Sequence, residues 1–122
     1  MQKNRKVLVV DDNRVFADVL CEILNTREFD AESCYDGEDA LKKAREGAYD
    51  CMCIDVVMPG MSGIKVLKEI RKISPQVRVI LMTGYCIDDD MRTEMDGAEA
   101  DIINKPFEVE DIMDRIRGTV EK

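Results

Sequence analysis

The amino-acid sequence predicts an α/β fold, a doubly wound three-layer sandwich with a five-stranded parallel sheet between layers of helices. Five short apolar runs alternate with five segments whose apolar residues recur at helical spacing. Continuous apolar runs are typical of parallel strands buried on both faces. Right-handed crossovers between such strands place helices on both sides of the sheet. We expect residues 1–122 to form one domain, since domains usually have about 100–150 residues.

The first half of the chain contains two strands and two helices. Residues 7–10 form an apolar run that ends at two aspartates, and residues 31–35 predict a second, weaker strand. Asp36 is a candidate cap for the second helix, because acidic residues fill the turn that follows it. The first helix is predicted from apolar residues in two i, i+4 rows, which we expect to form its buried face: Val15, Phe16, Val19, Leu20, Ile23 and Leu24.

The second half continues the alternation. Strands are predicted at residues 51–54, 77–82 and 102–103, and a short charged helix at residues 88–95. Ser62 is the candidate cap of the third helix. The predicted buried positions of that helix are Ile64, Leu67, Ile70 and Ile73. Those of the last helix are Val109, Ile112, Met113, Ile116 and Val120.

The composition excludes several classes of function. The net charge of −8 disfavours direct binding to nucleic acid or to an anionic membrane surface. No apolar stretch approaches the length of a membrane span, so we expect a cytoplasmic protein without membrane contact. The chain has no histidine, which excludes catalysis by the usual triads. We interpret the five cysteines as reduced thiols, mostly buried: Cys21, Cys34, Cys51, Cys53 and Cys86.

Polar residues follow four of the predicted strands. Asp11 and Asp12 end the first strand, Asp55 the third, Thr83 the fourth and Lys105 the fifth. Parallel strands bring these ends to one edge of the sheet, where doubly wound folds bind ligands. Three carboxylates held together need positive charge, which one ammonium and a magnesium ion would supply. A carboxylate can attack a phosphoryl group, so the set has the parts for phosphoryl transfer to an aspartate.

Each of these residues also has an ordinary structural interpretation. Asp11 and Asp12 could be acidic residues at a helix N-terminus, and Asp55 could belong to a turn. Lys105 could be a solvated loop lysine, and Thr83 a strand end without further role. The joint arrangement favours the functional interpretation, because every one of them follows a predicted strand in the predicted order.

Four motifs resemble the receiver domain of bacterial response regulators. They are Val-Val-Asp-Asp-Asn at 9–13, Ile-Asp-Val-Val-Met-Pro-Gly-Met-Ser-Gly at 54–63, Leu-Met-Thr-Gly-Tyr at 81–85 and Asn-Lys-Pro-Phe at 104–107. They occur in the order found in that family and extend over the whole chain. The resemblance implies a flavodoxin-like sheet with strand order 2-1-3-4-5.

The resemblance implies a phosphoacceptor and a magnesium site. Asp55 matches the aspartate that is phosphorylated in such domains. Asp12 matches the carboxylate that binds Mg²⁺ directly, and Asp11 matches its neighbour, which often acts through water. Val57 matches the position whose backbone carbonyl is a further metal ligand, and Asp55 itself completes the predicted set.

The resemblance also implies a switch that reports phosphorylation. Thr83 matches the residue that bonds the phosphoryl group and moves on activation. Lys105 matches the lysine that pairs with phosphate, and its bond to Pro106 is cis in such domains. The chain departs from the pattern at Ile102, where an aromatic switch residue is common. Tyr85 is either a partial shield of the acyl phosphate or a packing residue of its loop.

We therefore predict a signalling domain of a two-component system rather than an enzyme, with its own magnesium-dependent self-phosphorylation and self-dephosphorylation chemistry. Its predicted partners are a sensor histidine kinase or phosphotransfer protein, and an output domain or downstream protein. The predicted switching surface is the fourth helix, fifth strand and fifth helix. Phosphorylation-dependent dimerisation through the last helix stays open, because Ile116 and Val120 suit a core face equally well.

Three other classes of function are alternatives to this prediction. A magnesium-dependent phosphatase usually has an aspartate two residues after its nucleophile, where this chain has Val57, which cannot transfer protons. A flavin-binding carrier would need a phosphate-binding loop after the first strand, where Asp11 and Asp12 would repel a phosphate. A binding module that is never phosphorylated stays open, although the intact set of site residues argues against it.

Overall fold

A computed structural model describes residues 4–84 and 87–118. All five strands are parallel, and their order in the sheet is 2-1-3-4-5, as the resemblance implies. The elements are β1 Arg5–Val10, α1 Arg14–Asn25, β2 Phe29–Cys34, α2 Gly37–Glu46, β3 Cys51–Asp55, α3 Gly63–Ile73, β4 Arg78–Thr83, α4 Asp89–Met95, β5 Asp101–Asn104 and α5 Val109–Arg117.

Two apolar cores lie on opposite faces of the sheet. Alternate residues of each strand point to opposite faces, so Leu8 and Val10 pack into one core while Val7 and Val9 pack into the other. Helices α2 and α3 cover the first core, and helices α1 and α5 cover the second. The three-layer prediction is therefore confirmed.

The helix caps explain where the chain leaves the sheet edge. Asp36 accepts a hydrogen bond from the backbone N–H of Asp39 at 2.7 Å, and Ser62 accepts one from Lys65 at 3.2 Å, which confirms both predicted caps. Helix α1 is capped by Asn13, whose Oδ1 lies 3.1 Å from the backbone nitrogen of Phe16. The cap of α1 is therefore Asn13, and the two preceding aspartates are free for another role.

The predicted buried face of α1 is wrong in part. Val15 and Val19 are 74% and 47% exposed. The residues that α1 buries are spaced i, i+3, i+4 and i+7: Ala17, Leu20, Cys21 and Leu24. The prediction gave weight to large apolar residues, whereas the small side chains of Ala17 and Cys21 let the helix lie close against the sheet.

Helices α4 and α5 differ in how firmly they are packed. All seven residues of α4 are described, and none of them is buried; Met91 and Met95 are half-buried against the first core. Helix α5 buries Ile112, Met113 and Ile116, as predicted. Val120, the remaining predicted position, lies outside the described residues. Among the helices of the described ranges, none is long and apolar enough to cross a membrane.

Candidate functional site

The predicted site residues converge at the carboxyl edge of the sheet. Asp55 and Thr83 are the last residues of β3 and β4, and Asp11 and Lys105 directly follow β1 and β5. Strands β3 and β4 run in register, with Asp55 beside Met82. The parallel topology thus places side chains that are distant in the sequence within one small volume.

Three carboxylates form the centre of this volume. One oxygen each from Asp11, Asp12 and Asp55 lies within 4.8 Å of the other two. Asp11 is fully buried, Asp55 is 9% exposed, and Asp12 faces solvent. The cluster is therefore a shallow site, with two carboxylates held by the fold and one at its rim.

Lys105 provides the positive charge beside this cluster. Its Nζ donates a hydrogen bond to Asp11 Oδ2 at 2.7 Å and lies 3.8 Å from Asp55 Oδ1. The lysine side chain is 24% exposed. One ammonium is thus shared by two buried carboxylates, which leaves the group of three carboxylates with excess negative charge.

The shortage of positive charge is visible in the acidity of Asp55. Burial, and next the negative charge of Asp11, raise the pKa of Asp55 to about 6, although Lys105 and a backbone hydrogen bond from Val57 oppose this. The carboxylate is therefore ionised at neutral pH but is a stronger base than an ordinary aspartate. A cation bound at this position would relieve the repulsion.

Asp11 is fixed by its own loop. Its backbone N–H donates to the carbonyl of Cys34 at 3.1 Å, which ties the end of β1 to β2. Its Oδ1 accepts a hydrogen bond from the backbone N–H of Asn13 at 2.9 Å, and its Oδ2 accepts the ammonium of Lys105. Both carboxylate oxygens of this buried residue are therefore oriented by partners.

The loop after Asp55 is held by a close backbone approach that the sequence interpretation missed. The backbone N–H of Val56 donates to Met82 at 2.9 Å, and that of Gly63 donates to Val56 at 2.8 Å. A Cβ atom on Gly63 would lie only 2.2 Å from the carbonyl oxygen of Asp55. A glycine in the first turn of a helix, where it weakens the helix, is the sequence signal that could have pointed to this contact.

The other predicted residues complete the edge. Thr83 is fully buried, and its carbonyl accepts a hydrogen bond from the backbone N–H of Lys105 at 2.7 Å. The side chain of Val57 is exposed. Because this side chain has no polar atom, Val57 can contribute only backbone atoms to a polar site. The Lys105–Pro106 peptide bond is cis, as the resemblance implies. Tyr85, the candidate shield of the acyl phosphate, lies outside the described residues.

Two aromatic rings also approach this edge, and neither was predicted as part of the site. The Nζ of Lys105 lies 4.3 Å from the centroid of the Phe16 ring. The Phe16 ring meets the ring of Phe107 edge to face, with centroids 6.0 Å apart. Phe16 was assigned to the apolar face of α1, and nothing in its local spacing distinguishes it from the core residues beside it.

The donor set fits a hard divalent cation. All the side-chain ligands that the cluster offers are carboxylate oxygens, which suit Mg²⁺ or Ca²⁺ better than softer metals. Three carboxylates exceed the compensation that one ammonium provides. The thiols of Cys51 and Cys53 lie elsewhere, since both residues pack in the core on one face of β3.

Comparison with known proteins identifies the family. The profile of the response regulator receiver domain matches residues 7–117. An uncharacterised transcriptional regulatory protein of Bacillus subtilis, YkoG, is 35% identical over 93% of this chain and 50% of its own length. This chain spans about half the length of the curated relatives it matches.

Solved structures agree with the fold. A Francisella response regulator receiver domain is 28% identical, with a TM-score of 0.83, and the match covers 93% of this chain and 94% of that one. A CheY-like receiver domain protein from Methanospirillum hungatei has a TM-score of 0.86 at 24% identity, covering 95% and 93% of the two chains, and shows likeness of fold. The arrangement of the sheet, the acidic cluster at its carboxyl edge and the match over residues 7–117 lead to one conclusion: this chain belongs to the response regulator receiver domain family.

Proposed function

We propose that this receiver domain accepts a phosphoryl group on Asp55. The observation that carries the proposal is the position of the Asp55 carboxylate, 9% exposed at the sheet edge. Two further carboxylates lie within 4.8 Å of it, and the Lys105 ammonium lies at 3.8 Å. A nucleophilic carboxylate with a cation site on one side and an ammonium on the other has what phosphoryl transfer requires.

The proposed reaction is a transfer between a nitrogen donor and a carboxylate oxygen. An Asp55 oxygen attacks the phosphorus of a phosphohistidine or a phosphoramidate, so that a P–O bond forms while the P–N bond breaks. The leaving nitrogen keeps the electron pair and departs protonated. The raised pKa of Asp55 supports a cation beside it, because a bound cation would offset the burial and the Asp11 charge that oppose its ionised, nucleophilic form. Self-dephosphorylation would be the later attack of water on the same phosphorus, which breaks the P–O bond to Asp55, releases inorganic phosphate and regenerates the carboxylate.

We propose Mg²⁺ as the cofactor. Asp11, Asp12 and Asp55 would hold it, together with the backbone carbonyl of Val57, and bound magnesium would neutralise charge on the phosphoryl oxygens. The carboxylate-only side-chain cluster supports this assignment. Asp11 keeps one oxygen on Lys105, so the ammonium also limits how that carboxylate can turn toward the metal.

Two residues of this chain are proposed to bind the transferred group. Lys105 would exchange its contact with Asp11 for a contact with a phosphoryl oxygen, which requires only a small movement of its Nζ, now 3.8 Å from Asp55. Thr83 would donate its hydroxyl hydrogen to another phosphoryl oxygen. The carbonyl of Thr83 accepts the N–H of Lys105, so the two residues are already coupled through the backbone.

The test is incubation of the protein with magnesium and phosphoramidate, followed by intact mass measurement. The expected result is a labile adduct of one phosphate on the parent that is absent from Asp55→Asn and is not formed in EDTA. Asp101→Asn is a matched control, since it removes a carboxylate at the opposite end of β5. An equal adduct on Asp55→Asn, or none on the parent when magnesium binding is shown by titration, would contradict the proposal.

The proposed partners follow from the same chemistry. The phosphoryl donor would be a sensor histidine kinase or a phosphotransfer protein, because this chain has no histidine of its own. The output would be a further domain or a downstream protein, as the names of the relatives, transcriptional regulatory proteins of about twice the matched length, suggest. We propose residues 1–122 as a single receiver domain in the cytoplasm that binds neither nucleic acid nor membrane, in keeping with its charge of −8.

We further propose that phosphorylation alters the surface formed by α4, β5 and α5. Support comes from α4, which buries none of its residues, all of them described. In the sequence, α4 connects β4, which ends at Thr83, to β5, which Lys105 follows. Ile102 holds the usual aromatic position, so the change would pass through α4 rather than through a ring flip. Hydrogen exchange before and after phosphorylation should change first in α4, and gel filtration would show whether a dimer forms. Unchanged exchange in α4 would contradict this proposal.

A further inference from the structure

We infer that Phe16 is a positioning residue for Lys105, an inference that rests on the proposed function. The Lys105 Nζ lies 4.3 Å from the centroid of the Phe16 ring, within the range of a cation–π contact. The same ammonium lies 2.7 Å from Asp11 Oδ2 and 3.8 Å from Asp55 Oδ1. The ring and the two carboxylates therefore define where the charge of Lys105 sits.

Lys105 needs such a constraint because its role requires it to change partners. A lysine side chain is a flexible four-carbon stem that ends in a compact charge. A hydrogen bond from the ammonium to Asp11 therefore restrains little of the side chain's conformation. Once that bond is exchanged for a phosphoryl oxygen, the carboxylate no longer restrains the ammonium. The face of an aromatic ring attracts the cation without being a hydrogen-bond acceptor that must be released. Phe16 can therefore hold Lys105 near Asp55 both before and after transfer.

Phe16 is itself held in place from two sides. Its backbone N–H donates to Asn13 Oδ1, the cap of α1, at 3.1 Å. Its ring meets the edge of Phe107, with centroids 6.0 Å apart and planes at 80°. Phe107 lies two residues after Lys105, so the ring of Phe16 connects the start of α1 to the loop that carries the ammonium. The half-buried ring is thus placed by local structure rather than by the core of α1 alone.

The competing explanation is that Phe16 contributes only apolar packing. The two explanations differ in what the ring supplies. A leucine would keep most of the apolar contact but has no π face for a cation, whereas a tyrosine would keep the face. Phe107 offers a matched comparison, because its ring contacts Phe16 and is the same residue type, while the cation–π contact of Lys105 is with Phe16.

The test compares Phe16→Leu, Phe16→Tyr and Phe107→Leu in the full chain with the parent. Phosphoramidate concentration is varied at saturating magnesium, and the rate of adduct formation is followed by intact mass. Phe16→Leu should lower the maximal rate about 3-fold to 30-fold, the effect of losing a partly desolvated cation–π contact. Phe16→Tyr should keep the rate within about twofold of the parent, and Phe107→Leu should lower the rate less than Phe16→Leu does.

A second readout does not depend on activity. In the parent, the ring of Phe16 should shift the proton resonances of the Lys105 methylene next to Nζ upfield. That shift should persist in Phe16→Tyr and Phe107→Leu and disappear in Phe16→Leu, with the fold checked by the rest of the amide spectrum. Magnesium affinity is measured for every variant, so that the rates are compared with the site saturated in each.

The outcomes separate the inference from the proposed function. If the parent forms no adduct, the proposed function fails, and the inference fails with it. If the parent forms the adduct and Phe16→Leu reacts at the parent's rate, only the positioning role of Phe16 is overturned. The same conclusion follows if Phe16→Tyr is as slow as Phe16→Leu, or if Phe107→Leu loses as much rate while the upfield shift of Lys105 persists, because packing would then explain the effect.

Discussion

The ammonium of Lys105 is hydrogen-bonded to Asp11 at 2.7 Å and stands 3.8 Å from Asp55. The buried, oriented carboxylate of Asp11 thus takes the stronger share of the single positive charge. Asp55 is left with less compensation, and its pKa is raised to about 6 by burial and by the charge of Asp11. The residue proposed to react is therefore one whose negative charge is opposed by its own surroundings.

The first prediction concerns stability against pH in EDTA. Unfolded aspartate has a pKa of about 3.9, whereas folded Asp55 has a pKa of about 6. The folded state therefore holds the proton more tightly. Below about pH 4 the titration of Asp55 does not change the free energy of unfolding. Between about pH 4 and pH 6 it lowers the free energy of unfolding progressively, because the unfolded chain loses this proton first. Asp55→Asn should thus gain about 1–2 kcal/mol over the parent between these limits, less than the full shift implies, because solvent still reaches the carboxylate.

Urea unfolding at several pH values checks this prediction. The informative quantity is the difference in the free energy of unfolding between Asp55→Asn and the parent, which cancels the titration of groups that do not interact with Asp55. The difference should grow from pH 4 to pH 6.5 and then level off. A constant difference over this range, or one that shrinks as pH rises, would contradict the raised pKa.

The second prediction concerns magnesium. Binding to the folded state alone should stabilise the parent by about 1.4 kcal/mol at ten times the dissociation constant, raising Tm by about 4–7 °C. The gain should fall sharply in Asp12→Asn and Asp11→Asn, because each removes a charge from the cluster. Thermal unfolding with and without magnesium, at constant ionic strength, makes the comparison. Equal stabilisation of all three proteins would place the ion elsewhere.

The third prediction concerns Gly63. A methyl group at this position would lie 2.2 Å from the carbonyl oxygen of Asp55, so the start of α3 must move away from β3. Gly63→Ala should lose roughly 2 kcal/mol or more of stability and most of its rate of phosphorylation, since the same backbone positions the Asp55 carboxylate.

Gly47→Ala is the matched control for that substitution. The nearest atom to its added Cβ would be the Lys43 carbonyl oxygen at 3.6 Å, an ordinary contact. We expect its stability to change by no more than about 0.5 kcal/mol and its phosphorylation rate to equal that of the parent. Urea unfolding and adduct formation are measured on both variants. A Gly63→Ala protein that behaves like Gly47→Ala would show that the contact does not position the site.

The fourth prediction concerns the thiols of the described residues. Burial raises the pKa of Cys21 to about 11 and that of Cys34 to about 12. A hydrogen bond with the Cys51 thiol, and next burial, raise the pKa of Cys53. The thiolate fraction of Cys21 at neutral pH should thus be lower by about a hundredfold than in an exposed cysteine. Iodoacetamide should label these positions in urea and leave them unlabelled in the native protein, as read by peptide mapping. Native labelling of Cys51 or Cys53 would point to an accessible thiol pair.

Much of the fold could be predicted because alternating apolar strands and amphipathic helices leave few topologies. Helix caps at Asp36 and Ser62 were also predicted, since side-chain capping is a local property. The buried face of α1 could not be predicted correctly, because Val15 and Val19 have the spacing of a core face and only tertiary packing exposes them. Periodicity shows that a helix has an apolar face but does not show which of two adjacent rows meets the sheet.

The sequence predicted the charged residues of the candidate site but not the uncharged residues that support them. Asp11, Asp55 and Lys105 follow apolar strands, and parallel topology alone brings them together. Gly63 and Phe16 act through contacts with residues distant in the sequence, a backbone approach in one case and a ring face in the other. Such contacts depend on how loops and helices meet at the sheet edge, which residue spacing does not encode.

Borohydride reduction can identify the residue that carries the phosphoryl group, proposed here to be Asp55, because borohydride reduces an acyl phosphate to the alcohol. The phosphorylated protein is treated with borohydride, and the product is mapped by peptide sequencing in the mass spectrometer. Homoserine is expected at position 55, with Asp11 and Asp12 unmodified and no homoserine in protein treated without magnesium. Homoserine at Asp11 or Asp12, or phosphate retained after reduction on a hydroxyl such as Thr83, would contradict this assignment.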